Sequence, residues 1–393
     1  MVFRDREGTA PPARRSTLNL GVGCVPIQGS LRVHRDCGGK LVSFVQVKRR
    51  WRTTLAWATG VGLAQDWDLG VPGRDSASRL GAGQSCLTVV MRPPTPIGAF
   101  PDAGAEARYF ATYRDAMAST PEPASTEDAP TAFGTVRTYR YGRETGSPIV
   151  LLPAFWATAA MWAPNIAELA EGHPVYTLDT LGQPGASVQT VPIRTAADCA
   201  AWLGEVLSAL ELRDVHLVGC SYGGWLTFNQ ALHSPERLAT ITLIEPANVL
   251  TRLSARFKCS AVALIPAVPR ALTRRAMAWG LGNPAVDDPM HVIVELIAAG
   301  AHDYRALGTS PAPRYPNDDE LRSVQTPTLA LLGGRSVVQD STAAAERARN
   351  LLVAGEVELW VNASHAVSAE VPTQVNRRIL DFVSARPYSR TAN

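Results

Sequence analysis

The sequence predicts an α/β fold in which helices cover a doubly wound, mostly parallel sheet that carries an inserted helical cap. Two observations indicate the sheet: strand-like and helix-like segments alternate between residues 133 and 383, and strand segments such as Ile149–Leu152 are apolar throughout. Uninterrupted apolar strands are typical of parallel sheets, because these are buried on both faces. The third observation is a helix-like interruption at residues 248–321, which we interpret as the cap.

Predicted strands and helices follow one another in the order that parallel neighbours require, since each parallel pair needs a crossover connection. The predicted strands lie at residues 133–141, 149–152, 174–178, 215–218, 239–244, 328–332 and 356–361. Helical patterns occur at residues 108–118, 161–170, 196–210, 224–232, 343–352 and 374–383. Residues 121–130 are polar and rich in proline, so we predict a connector there.

The interruption at residues 248–321 falls where an insertion would cover the carboxyl edge of the sheet, the edge at which α/β proteins bind ligands. Leu264, Val268, Leu272 and Ala276 recur at the four-residue spacing of a helix face. Residues 248–286 hold six basic side chains and no acidic one. This pattern indicates a solvated basic helix face, or alternatively a surface that steers an anionic substrate.

Composition restricts the class of protein. The 393 residues are 46% hydrophobic and 19% charged, as in globular proteins, and no apolar stretch approaches the about 20 residues that span a bilayer. Residues 1–100 carry a net charge of +8 and the remainder −5. The mildly acidic main part argues against nucleic acid as a partner.

Cysteine usage and the lack of an export signal favour a cytoplasmic protein. The six cysteines are scattered without metal-ligand spacing, so we expect free thiols and no metal site. A basic run at residues 48–52 precedes an apolar segment at 55–64 and loosely resembles a secretory signal. It lies too far from the amino terminus for that role.

The first ninety residues read as a leader of doubtful structure, although Leu41–Val47 has the composition of a strand. We consider that Met91 is the natural start and that the upstream residues are a mis-assigned translation. An exposed basic tail and a small separate domain are the alternatives. Residues 91–393 are predicted to form the α/β domain with its cap.

The segment Gly219-Cys220-Ser221-Tyr222-Gly223 lies between a predicted strand and a predicted helix. A turn this tight projects the serine hydroxyl above the sheet and needs glycine on both sides, where larger side chains would collide with neighbouring elements. The backbone N–H of Tyr222, at the start of the helix, would then face a developing oxyanion. We interpret Ser221 as a nucleophile, with a purely structural turn as the alternative.

With this turn in place, the chain resembles the α/β-hydrolase superfamily, in particular its esterase-like members with a helical cap. The resemblance extends from about residue 100 to residue 383. Residues 179–187, Asp-Thr-Leu-Gly-Gln-Pro-Gly-Ala-Ser, look like the family's turn after the strand that precedes the nucleophile. Residues 234–237, Ser-Pro-Glu-Arg, are similar to its usual close of the following helix.

The resemblance implies a histidine base after the last strand and a second oxyanion donor after the first core strand. His365 has the implied position for the base. The loop Leu152-Pro153-Ala154-Phe155-Trp156 replaces the His-Gly of relatives; proline has no N–H, so the implied donor is Phe155. Trp156 and Trp162 either wall the acyl pocket or belong to ordinary packing.

The acid of the triad is missing from the position that the resemblance implies, because Ser336 stands there. Glu245, after the strand at 239–244, is the preferred replacement, since some relatives supply the acid from that edge. Asp340 is the alternative, although it also suits a helix N-cap. Ser336 itself, a water or no orienting group remain open.

The function that these residues predict is hydrolysis of an ester-like bond in a small molecule, through an acyl-enzyme on Ser221 with His365 as base. No cofactor, metal or membrane partner is expected. One alternative is a specialised acyl transfer, such as cyclisation or thioester hydrolysis in a biosynthetic pathway. The other is a non-catalytic ligand-binding protein on a hydrolase scaffold.

Overall fold

The computed structural model describes residues 29–35, 41–47, 68–70, 90–92, 97–285, 288–305 and 308–386. The chain divides into two compact units, one of residues 1–61 and 69–92 and the other of residues 62–68 and 93–393.

The described amino-terminal residues form two small sheets. Strand β1 (Gly29–Arg35) pairs antiparallel with β2 (Leu41–Val47), and β3 (Asp68–Gly70) pairs with β4 (Val90–Arg92). The bounds of β2 are those of the strand expected from the sequence. The interpretation of residues 1–90 as a mis-assigned leader stays a prediction.

The second unit is built on a mixed sheet that has nine strands within the described residues. They are β5 (Ser125–Thr131), β6 (Gly134–Gly142), β7 (Ile149–Leu152), β8 (Pro174–Leu178), β9 (Val188–Gln189), β10 (Val215–Cys220), β11 (Leu238–Ile244), β12 (Thr328–Gly333) and β13 (Gly355–Trp360). The order is β13-β12-β11-β10-β7-β8-β6-β5, with β9 paired to β6. The strands from β13 to β8 pair in parallel, and β6 is antiparallel to its neighbours. The predicted fold class is confirmed.

Helices cover both faces of this sheet. They are α1 (Ala103–Met117), α2 (Ala163–Ala170), α3 (Ala196–Ala209), α4 (Tyr222–His233), α5 (Ala255–Ser260), α6 (Arg270–Gly280), α7 (Pro289–Asp303), α8 (Asp318–Ser323), α9 (Ser341–Leu351), α10 (Val367–Glu370) and α11 (Pro372–Ser384). A hydrophobic core lies on each face of the sheet. Strand β7 is apolar throughout because it contributes to both: Leu151 packs in one core, while Val150 and Leu152 pack in the other. None of the helices in the described ranges has the length and apolar character needed to cross a bilayer.

One segment differs from its prediction. The connector expected at residues 121–130 is, from Ser125 onward, the edge strand β5, which pairs with β6. Its sequence alternates poorly because only Ala129 is buried. An edge strand pairs on one side only and faces water on the other, so it accepts charged residues and proline. These residues are the reason that the sequence does not predict a strand here.

The insertion between β11 and β12 carries the helices α5 to α8; its role as a cap stays a prediction. Part of its basic surface is neutralised from within, since Arg270 and Arg274 approach Glu295 of α7 at 4.0 and 3.2 Å. Arg252 instead lies over the ring of Tyr315, 4.4 Å from its centroid. Three of the six basic residues thus have partners inside the insertion, and the choice between a solvated face and an anion-steering surface stays a prediction.

A buried histidine is the second residue of the central strand β10. His216 is 1% exposed and its Nδ1 lies 2.9 Å from Thr240 Oγ1. Burial, helped by the nearby His173, lowers the pKa of His216 from 6.5 to about 4. Between these values the unfolded chain binds a proton that the folded chain does not, so stability falls as the pH falls below 6.5.

We therefore expect the free energy of unfolding to lose about 2 kcal/mol more between pH 7 and pH 5 in the wild type than in His216→Gln. Urea unfolding of both proteins at the two pH values measures the difference. Identical pH dependence in the two would show that His216 titrates normally in the folded protein.

Candidate active site

Ser221 stands in a turn so tight that its backbone is strained. It joins β10 to α4 with a φ of 53° and a ψ of −111°, a conformation that costs a non-glycine residue about 1–3 kcal/mol. A Cβ added to Gly219 would lie 2.1 Å from the Gly223 carbonyl oxygen, and one added to Gly223 would lie 2.2 Å from that of Leu152. Both flanking glycines are thus required by close approach, as expected from the sequence.

Glu245 occupies the equivalent position on the neighbouring strand. The parallel register pairs Cys220 with Ile244, so Ser221 and Glu245 are the next residues at the carboxyl ends of β10 and β11. Glu245 also has a left-handed backbone, with a φ of 46°. The Ser221 N–H donates to the Ile244 carbonyl oxygen at 2.9 Å, which holds the two strand ends together.

The structure brings His365 against Glu245. The distance from His365 Nδ1 to Glu245 Oε2 is 2.8 Å, and the side chains are 5% and 0% exposed. Because a carboxylate only accepts, Nδ1 is the donor and Nε2 is left as the nitrogen that can take up a proton. Shielding from water strengthens this bond and fixes the orientation of the imidazole.

Sequence reasoning missed the groups that hold Glu245 itself. Its second oxygen, Oε1, accepts from the Gly333 N–H at 2.8 Å and from Ser341 Oγ at 3.2 Å. Three hydrogen bonds therefore satisfy a carboxylate that has no contact with solvent. No sequence signal marks Ser341, because it lies 96 residues from Glu245 and opens an unrelated helix.

The two alternatives for the acid have other roles in the fold. Asp340 caps α9 by accepting from the Ala343 N–H at 3.0 Å. Ser336 Oγ lies 3.4 Å from the Val338 N–H, within its own turn. In the part of the chain that the structure describes, neither side chain hydrogen-bonds to His365.

The backbone N–H groups of Phe155 and Tyr222 are unoccupied: within the described ranges, neither donates to a protein acceptor. Tyr222 is the first residue of α4, where N–H groups lack intrahelical acceptors and the helix dipole favours negative charge. The two segments meet, since the Phe155 and Tyr222 ring centroids are 5.6 Å apart. The Tyr222 N–H directly follows Ser221, and the assignment of both N–H groups to an oxyanion stays a prediction.

The aromatic residues of this loop differ in exposure. Trp156 and Trp162 are 3% and 0% exposed and pack in the hydrophobic core, whereas Phe155 is 36% exposed and stacks on Trp156. Burial of this degree agrees with the packing interpretation of both tryptophans. Of the three rings, only that of Phe155 is exposed to solvent.

The helical insertion reaches the histidine loop. The Phe257 ring of α5 lies 6.4 Å from the ring of His365, centroid to centroid. Gly282, two residues after the end of α6, approaches Ser364 so closely that an added Cβ would lie 2.5 Å from the Ser364 Oγ. The insertion therefore contributes an aromatic wall next to the imidazole.

Other groups near the site do not compete with Ser221. Burial, together with the charge of Glu245, raises the pKa of the adjacent Cys220 thiol to about 12, which keeps it protonated and unreactive at neutral pH. In the described segments, no set of three or more His, Cys, Asp or Glu side chains is arranged to hold a metal ion.

Comparison with known proteins places the chain in a family. The model of the alpha/beta hydrolase family matches residues 149–378. The uncharacterized carboxylesterase nap of Bacillus subtilis (strain 168) is 30% identical over 284 residues, which cover 71% of this chain and 93% of that protein. Carboxylesterase YbfK of the same organism is 28% identical over 281 residues, covering 70% and 93%. The crystal structure of the Bacillus subtilis naproxen esterase (carboxylesterase NP) superposes with a TM-score of 0.66 at 29% identity, covering 72% and 99%. Since the family model spans more than half of the sequence, the chain belongs to the alpha/beta hydrolase family.

Proposed function

We propose that the protein is a carboxylic ester hydrolase that forms an acyl-enzyme on Ser221. The observation that carries the proposal is the buried hydrogen bond of 2.8 Å between His365 and Glu245, at the sheet edge that presents Ser221. The relatives named as carboxylesterases support the substrate class, a small molecule with an ester bond.

Each group has a part in the proposed reaction. Ser221 Oγ attacks the ester carbonyl while His365 Nε2 takes its proton, and Glu245 stabilises the imidazolium that results. The carbonyl oxygen becomes an oxyanion that accepts hydrogen bonds from the Phe155 and Tyr222 N–H groups. His365 returns the proton to the leaving alcohol, which leaves an acyl-serine. A water, deprotonated by His365, then attacks the acyl carbon; the bond to Ser221 Oγ breaks, His365 returns the proton to Oγ, and the acid is released.

The geometry of Glu245 bears on the alternative that the chain only binds a ligand. Two features favour that alternative: the altered loop at residues 152–156, and Ser336 where relatives have a carboxylate. The hydrogen bond from His365 to Glu245, at the end of the neighbouring strand β11, supports a carboxylate in the orienting role despite Ser336. An imidazole oriented by a buried carboxylate and a strained serine in the same chain favour catalysis over passive binding.

A fluorophosphonate probe tests for an activated serine. The full chain is expected to gain the mass of one phosphonyl group, and Ser221→Ala to gain none, because an unactivated hydroxyl does not attack phosphorus at a useful rate. Intact-protein mass spectrometry measures the labelling, with the exposed Ser119→Ala as the matched control. A folded wild type that stays unlabelled would contradict the proposal.

The identity of the acid is tested by two amide substitutions. Glu245→Gln is expected to lower kcat/KM by about 10³–10⁴-fold, because an amide no longer stabilises the imidazolium and allows the wrong tautomer. Asp340→Asn is expected to change it less than about 3-fold, since asparagine caps helices as well as aspartate. Steady-state hydrolysis of a p-nitrophenyl ester measures both. A large loss in Asp340→Asn with little change in Glu245→Gln would reverse the assignment.

The hydrogen bond from Ser341 to Glu245 makes a further prediction. Ser341→Ala removes one donor from a buried carboxylate, so we expect kcat/KM to fall by about 3- to 10-fold, in line with the worth of a single such bond. Ser336→Ala is the matched control, because its hydroxyl does not contact Glu245 or His365 within the described contacts. Equal activity of the two variants would remove Ser341 from the site.

A further inference from the structure

The loop that carries Phe155 contains two strained residues. Trp156 has a φ of 60°, and Thr158 has a φ of 55° with a ψ of −179°. Such backbone conformations are rare in residues other than glycine and persist only where the surroundings hold them. Neighbouring residues must therefore stabilise the backbone at Trp156 and Thr158.

Both strained residues are held from one segment, residues 179–187. The Trp156 N–H donates to Gln183 Oε1 at 2.9 Å. The Ala159 N–H, directly after Thr158, donates to Asp179 Oδ1 at 2.9 Å. Gln183 is 2% exposed and Asp179 is 0% exposed, so water does not compete for either bond.

Asp179 is fixed in turn by its second oxygen. Oδ2 accepts from the Tyr113 hydroxyl and from the Ala186 N–H, both at 2.7 Å. The Tyr113 hydroxyl also lies 2.6 Å from that of Tyr139. Burial raises the pKa of the Asp179 carboxyl, and the hydrogen bonds from Ala186, Ala159 and Tyr113 oppose that rise. No step of the proposed reaction uses this carboxylate, which indicates that it serves the loop.

The hydrogen bond from the Trp156 N–H to Gln183 stabilises a turn in the loop. The Ala157 N–H donates to the Ala154 carbonyl oxygen at 3.1 Å, which closes a four-residue turn with Phe155 and Trp156 at its centre. A left-handed residue at the third position is typical of a type II turn, in which glycine or asparagine is preferred. Without a partner for the Trp156 N–H, a tryptophan there would relax to another turn, and the direction of the Phe155 N–H would change with it.

We propose that Gln183 and Asp179 are positioning residues that hold the Phe155 N–H in line with the oxyanion. This inference rests on the proposed function, because it assigns that N–H to the transition state. Substrate binding depends little on the direction of one N–H, whereas the charged oxygen of the transition state depends on it strongly. The two side chains therefore act on kcat through the loop, without touching the substrate.

Gln183→Met tests the inference, because methionine has a similar length and is a weak hydrogen-bond acceptor. The full chain is assayed for kcat and KM with p-nitrophenyl butyrate, and for inhibition by a trifluoromethyl ketone with the same acyl chain. That ketone forms a tetrahedral adduct with Ser221 whose oxygen carries the charge of the transition state. Tyr113→Phe, which removes one donor to Asp179 and keeps the ring, is the second variant.

We expect Gln183→Met to lower kcat by about 30- to 100-fold with KM within about 3-fold, since misplacing a donor costs less than the 10²–10³-fold of removing one. The Ki of the ketone is expected to rise by the factor by which kcat/KM falls, and the shape of the pH profile is expected to stay unchanged. Tyr113→Phe should show a smaller loss of the same kind. Gln230→Met, at a buried glutamine that bonds the end of α4, is the control and is expected to match the wild type.

Either of two results would overturn the inference in an active wild type: a kcat of Gln183→Met within 2-fold of wild type, or a rise in KM alone with no change in the Ki of the ketone. A wild type that neither hydrolyses the ester nor binds the ketone would overturn the proposed function itself. The two failures are distinguishable, because the first leaves an active enzyme.

Discussion

The hydrogen bond between Glu245 and His365 joins parts of the chain that 120 residues separate, and the geometry of the candidate site depends on it. It forms because β10 and β11 are parallel neighbours in register, so the residues that follow them emerge side by side at one edge of the sheet. Strand β12 contributes the Gly333 N–H to the same carboxylate. Three adjacent strand ends therefore set the position of one imidazole.

Four of the eight non-glycine residues with positive φ in the described part of the chain lie at this edge. Trp156, Thr158, Ser221 and Glu245 all have positive φ values without being glycine, and all lie at the ends of central strands or in the loop that follows β7. Each such residue costs about 1–3 kcal/mol, and the hydrogen bonds and packing around it offset that cost. Strain of this kind lets side chains and N–H groups point out of the sheet toward a common centre.

Most strands and helices could be predicted from the sequence, because the residue patterns that indicate them are local. The apolar runs of β7 and β8 gave the strand bounds without error, since both faces of these strands are buried. Strand β5 was missed because an edge strand with one buried residue lacks that pattern. The glycines around Ser221 were interpreted correctly, as the crowding they relieve comes from the turn itself and from the element next to it.

The sequence by itself determined the order of strands and helices, the tight turn that holds Ser221 and the position of His365 after the last strand. Each of these is encoded within a few neighbouring residues. The sequence left the acid open between Glu245, Asp340, Ser336, a water and no orienting group, since a side chain's partner across the sheet depends on strand register and not on distance along the chain. Only the tertiary structure decided that Glu245 meets His365, that Ser341 holds Glu245, and that Gln183 and Asp179 hold the loop of Phe155. Hydrogen bonds between distant segments have no local sequence pattern, because the residues that form them are brought together by the packing of the whole sheet.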